Sequence, residues 1–214
     1  MRMSLSTNIG IIGTAGRKED SDKLSAALYQ KMKLETLKLI MPYTNKNITF
    51  VSGGAAVADH LAVHFFNTLP HTKLSLHLPA PFDQHTKQFV EEKGKMFNPG
   101  NIANYYHRKF QKWSGINSLG EIALAIEEGA TVLVTPGFKQ RNSKVAADSE
   151  VLIALTFGEG ALLKDGGTAD TFGKFLAKQS GISHHICLPE CQVFSPGLIE
   201  GFTPKPTDSQ PSLF

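Results

Sequence analysis

An α/β fold is predicted, a parallel sheet covered by helices on both faces, and three observations predict it. Short apolar runs alternate along the chain with longer segments of helical periodicity. Three of the apolar runs lead into a glycine-rich turn, and each turn is followed by a helical segment. No apolar run approaches the roughly 20 residues that span a bilayer.

The elements follow in order. Residues 8–13 read as a buried strand ending in Gly13-Thr14-Ala15-Gly16-Arg17. From Ser21 to Ile40, Leu24, Leu28, Met32, Leu37 and Ile40 recur near helical spacing with lysines between them, and Pro42 ends the helix. Residues 48–51 are a second strand entering Ser52-Gly53-Gly54-Ala55, and Ala55 to Phe66 is the next helix. Leu74 to Leu78 is a third strand stopped by Pro79 and Pro81. Leu119 to Glu128 reads as a helix, 131–135 as a fourth strand ended by Pro136-Gly137, and Arg141 to Asp148 as a helix. Residues 151–157 form a fifth strand, followed by Asp165-Gly166-Gly167-Thr168 and a helix to Gln179. His184 to Leu188 is expected as the last strand.

Residues 83–117 differ in character and read as a helical or irregular insertion over the sheet edge. Lys87, Lys93, Lys95, Arg108, Lys109 and Lys112 interleave there with Phe89, Phe97, Tyr105, Tyr106, Phe110 and Trp113. Such a mixture suits a stacking platform for single-stranded nucleic acid or a small satellite core with solvated lysines. Residues 1–196 are expected as one domain containing this insertion, and 197–214, with Pro204, Pro206 and Pro211, as an extended or disordered tail.

Composition narrows the partners. The 214 residues carry 22 basic and 19 acidic side chains, a formal charge of +3. That is too mild to indicate a nonspecific nucleic-acid stripe. The N-terminal heptad is too short and polar for a secretory signal, so a cytoplasmic, membrane-free protein is expected. Two cysteines make no disulfide framework. His184, His185, Cys187 and Cys191 include soft ligands, but adjacent strand residues face opposite ways, so no metal is assigned.

A strand, a turn without β-carbons and a helix N-terminus together make a pocket of backbone N–H groups sized for phosphate. Gly13 and Gly16 let the backbone approach a ligand, Thr14 lies between them, and Arg17 can grip an oxyanion. The turn is not a full G-x-G-x-x-G fingerprint, and no cofactor is assigned. Ser52 can cap a helix or bind an oxygen. Asp59 can hold the loop or accept from a ribose hydroxyl. Thr168 fits an N-cap, and Asp170 in the next turn complements the helix dipole.

The order of these features is more specific than any one of them. Gly-x-x-Gly-Arg, then Ser-Gly-Gly-Ala with Asp59 downstream, then Arg141-Asn142, then an apolar strand and Gly-Gly-Thr resembles the SLOG superfamily, a Rossmann-like group. It includes the DNA-processing protein A domain, the Lonely Guy phosphoribohydrolases and stand-alone bacterial and phage proteins, and the chain looks most like the stand-alone type. The resemblance spans 8–66 and 128–188. It implies a pocket for a nucleotide or nucleotide-derived molecule, formed by Gly13, Thr14, Gly16, Arg17, Ser52, Gly53, Gly54, Asp59, Arg141, Asn142, Gly166, Gly167 and Thr168. It also makes a homo-oligomer an expected partner.

Departures from the pattern bear on chemistry. The hydrolytic members use P-G-G-x-G-T-x-x-E, whose glutamate serves N-glycosidic cleavage. Here the spacer glycine is missing and Thr171 stands where the glutamate falls. Asp170 or Glu159 is left as the candidate catalytic acid. Val57-Ala58 replaces a Gly-Ala common in the family. The expected function is therefore ligand binding, as sensor or sequestering protein, with cleavage of a nucleoside monophosphate as the alternative. A third reading comes from Gln210-Pro211-Ser212-Leu213-Phe214. It resembles the peptide by which bacterial replication proteins dock on the sliding clamp, with Gln210, Leu213 and Phe214 as anchors.

Overall fold

A computed structural model of the chain describes residues 6–92, 94, 97–135 and 137–195. The expected tail, its anchors Gln210, Leu213 and Phe214, and the insertion lysines Lys93 and Lys95 lie outside the described residues, as does Pro136.

The strands are β1 (Ser6–Gly13), β2 (Asn47–Ser52), β3 (Thr72–Leu78), β4 (Phe82–Asp83), β5 (Gln88–Phe89), β6 (Thr131–Val134), β7 (Val151–Thr156), β8 (Ile182–Cys187) and β9 (Gln192–Phe194). The helices are α1 (Ala26–Ile40), α2 (His60–Thr68), α3 (Pro99–Ser114), α4 (Ser118–Glu127), α5 (Phe138–Asp148) and α6 (Gly167–Leu176). Seven strands form one sheet in the order β6-β3-β2-β1-β7-β8-β9, parallel throughout except the β8–β9 pair. This is the expected α/β architecture, Rossmann-like in its doubly wound sheet.

Alternation along the strands sorts the core into two layers. Ile9, Ile11, Phe50, Leu76, Ile153 and Leu155 face a large cluster built with Tyr29 and Met32 of α1, Leu61 of α2, Phe110 of α3 and Ile122 of α4. Ile12, Val51, Leu152 and Ala154 face a smaller one with Val145 of α5 and Phe172 and Phe175 of α6. The chain winds leftward from β1 with helices on the first face. It then returns beneath the sheet through α5, which packs against β1, β2 and β3, and winds rightward from β7. All parallel strands therefore point their carboxyl ends, and the turns that follow, to one rim.

Local chemistry moved several boundaries. The helix expected from Ser21 divides: Lys18–Lys23 is a 3-10 turn, and Ser25 caps α1 by accepting the Leu28 amide at 3.1 Å. The β9 strand was not anticipated. Its three residues carry too short a pattern, and a tight turn through Cys191 (φ 60) folds them back on β8. The insertion holds the β4–β5 hairpin and α3, with Phe89 and Phe110 buried and Trp113 packed on the core. Those rings join the main core rather than a separate satellite one, whereas Tyr105 and Phe97 stay exposed.

No described helix is long and apolar enough to cross a membrane. Ile11 sits on the central strand at zero exposure. Ile11→Ala is expected to lower unfolding free energy by about 2–5 kcal/mol, read from the urea midpoint with an unchanged slope.

Candidate binding cleft

A shallow cleft, open to solvent, lies over the carboxyl ends of β1, β2 and β3. Ala15 and Arg17 contribute from the first glycine turn, and Gly53, Gly54 and Ala55 from the second. Phe138 and Arg141 come from α5, and Ile102, Ala103 and Tyr106 from α3. Two of the three glycine turns thus meet. The third joins from behind: Asn142 Nδ2 donates to the Gly167 carbonyl at 3.1 Å, beside the turn of α5 that carries Arg141. Gly166 is the N-cap of α6, so Thr168 falls inside its first turn rather than at the cap.

The floor is held by Asp59. Its Oδ1 accepts the Gly13 amide at 3.1 Å, and its Oδ2 accepts Arg141 Nη1 at 3.2 Å. Both partners are more than nine-tenths buried. Burial pushes the Asp59 carboxyl up, while Arg141 and the amides of Gly13 and Ala55 pull the other way. Asp59 is therefore committed inside the protein and presents no free oxygen to a ribose. Ser52 is likewise internal: its hydroxyl donates to the Asp59 carbonyl at 2.8 Å and accepts the Gly54 amide at 3.1 Å. Thr14 donates to Asp20 at 2.9 Å and accepts the Gly16 amide, and Lys164 from the loop after β7 reaches the other Asp20 oxygen at 2.6 Å.

Gly53 has a steric reason. A β-carbon there would lie 1.7 Å from Arg141 Nη1, so only glycine lets the guanidinium lie on the turn. Val57 has the opposite character. It is β-branched, buried and held at φ 66, where the family resemblance expects glycine.

What remains to face the cleft is cationic. Arg17 is exposed and its side chain makes no hydrogen bond or ion pair among the described residues; its guanidinium lies 5.3 Å from the Tyr106 ring centre and 5.1 Å from that of Phe138. Arg141 lies 5.8 Å from the same Phe138 ring, and its buried Nε has no hydrogen-bond partner among the described residues. The helix α5 begins one turn earlier than the sequence suggests, which sets Phe138 and Arg141 at i and i+3 on one face. Among the described residues the amides of Ala15, Arg17 and Gly53 have no acceptor, whereas those of Gly13, Thr14, Gly16 and Gly54 are used internally. No described carboxylate lines the cleft. Asp170 pairs with Lys174 at 2.7 Å on α6, and Glu159 is exposed in the loop after β7; neither lines the cleft.

Sequence reasoning missed the support from α3. His107 Nε2 donates to the Gly54 carbonyl at 3.0 Å, which leaves Nδ1 to accept the Ser118 hydroxyl at 2.8 Å. Burial, with His60 nearby, pushes His107 down to about 3. No local motif signals this, because the contact links residues 53 positions apart.

Two expectations follow. Arg141→Met should cost about 3–5 kcal/mol by stranding the Asp59 carboxylate, with part of the loss recovered in the Asp59→Asn double variant, both read from urea midpoints. His107 is neutral when folded down to about pH 3 but takes a proton near pH 6.5 when unfolded. Its contribution is thus full above pH 6.5 and falls as pH drops, at a slope approaching about 1.4 kcal/mol per pH unit. His107→Gln should lack that slope between pH 6 and pH 4.

No family model matches the chain. It is 34% identical over 172 residues to an uncharacterized protein of Acanthamoeba polyphaga mimivirus, a match covering 78% of this chain and 89% of that one.

Proposed function

The chain belongs to the family of that mimivirus protein, and we propose that it binds a nucleotide or a nucleotide-derived phosphorylated molecule in the rim cleft, as a sensor or sequestering protein of the SLOG type. One observation carries the reading: Arg17, with no carboxylate partner among the described residues, and the half-satisfied Arg141 line one cleft with the turns whose Ala15 and Gly53 amides have no described acceptor. Cations and N–H donors converging on a concave site without acids suit a phosphate. The apolar walls given by Ile102, Ala103 and Phe138 suit the rest of such a ligand.

Binding is favoured over N-glycosidic cleavage because no described carboxylate lines the cleft. Asp59 is the nearest carboxylate by hydrogen bonding to the site, and it is committed to Arg141 and Gly13. Asp170 and Glu159 would have to act from outside the cleft lining.

The test is a melting-temperature titration with nucleoside monophosphates, with mass spectrometry of the recovered ligand and of anything released from the purified, denatured protein. Melting temperature should rise with concentration, the nucleotide should return intact, and Arg17→Ala should weaken binding by roughly tenfold or more. Absence of any shift, with nothing released, would sink the binding reading. Appearance of free base would replace it with hydrolysis.

A further inference from the structure

The Tyr106 and Phe138 rings both line the cleft, and the Arg17 guanidinium lies against both, so that the two make an aromatic slot that Arg17 occupies. We propose that this slot takes the base of the nucleotide by stacking, and that Arg17 leaves it on binding to meet the phosphate; the inference rests on the nucleotide reading above. The Arg17 guanidinium is itself planar, and it sits within 5.3 Å and 5.1 Å of the two ring centres. Its described side-chain contacts are those two rings, which hold an exposed cation weakly. A base laid against the same rings gains stacking and frees the cation for a charge-assisted bond at the rim.

The two rings are braced from behind. Phe97 meets Phe138 edge-on at 5.8 Å, and Tyr105 meets Tyr106 edge-on at 5.1 Å. The helix carrying Tyr106 is tied down by His107 on Gly54 and by Asn104, which exchanges hydrogen bonds with the Phe89 backbone at 2.9 Å each way. The slot therefore keeps its walls when Arg17 departs. Of the other cleft residues, Ala55, Ile102 and Ala103 carry no side-chain donor or acceptor, and Arg141, 5.8 Å from the Phe138 ring, is held by Asp59. It reads flatness rather than a base edge, so adenine and guanine nucleotides should bind similarly.

Calorimetric titration with AMP and with ribose 5-phosphate tests this in the wild-type chain and in Tyr106→Leu, Phe138→Leu and Tyr106→Phe. AMP should bind roughly 10- to 100-fold tighter than ribose 5-phosphate in the wild type. Both leucine variants should bring that ratio toward one, and Tyr106→Phe should preserve it. Unliganded melting curves confirm that each variant is folded. Equal affinities in the wild type, or a ratio that survives both leucine variants, overturn the slot while leaving phosphate binding in place. Failure of both ligands to bind overturns the nucleotide reading and the slot together.

Discussion

The buried pair between Asp59 and Arg141 is the constraint on which the rim depends. A charge pair withdrawn from water recovers its desolvation cost only through good geometry and further hydrogen bonds. Here those bonds come from the Gly13 amide and the Ala55 amide, so one carboxylate registers the end of β1, the turn after β2 and a helix that arrives from the opposite face of the sheet. Gly53 follows from the same pair, since the guanidinium lies where its β-carbon would be. Several glycines and polar groups that read as ligand contacts are first of all the means of packing an arginine beneath a turn.

The loop network extends outward from that centre. Thr14, Asp20 and Lys164 connect the first glycine turn to the loop after β7, and Asn142 connects α5 to the third. From above, His107 fixes the second turn through its carbonyl, and the polar contacts of His107 are both buried. The insertion is thus a wall of the cleft rather than an ornament at the sheet edge. Its buried rings, Phe89 and Phe110, stack into the core, and Tyr106 is left at the opening.

Internal satisfaction also explains what the site can offer. Amides and hydroxyls consumed by neighbours cannot recognise a ligand, which leaves two guanidinium groups, a few amides and two rings. Arg17 adds positive charge beside a pair that is already neutral as a unit, so the cleft favours an anion electrostatically. Chemistry at a glycosidic bond would need a carboxylate facing the same space, and the described carboxylates nearest in sequence to the third turn point elsewhere, into a pair with Lys174 or out to solvent.

Periodicity and punctuation made the strands, the helices and the parallel, two-faced sheet legible, because apolar spacing and glycine or proline breaks are local properties. They also located the glycine turns and Arg17. They could not tell which turns would share a cleft, nor that Asp59 would close on Arg141 across 82 positions or His107 on Gly54 across 53. By itself the sequence determined the elements and the residue types available at the rim. Only the tertiary structure decided which of those polar groups satisfy one another and which stay open to a ligand. The partners of a buried donor are set by long-range packing, which no window of neighbouring residues contains.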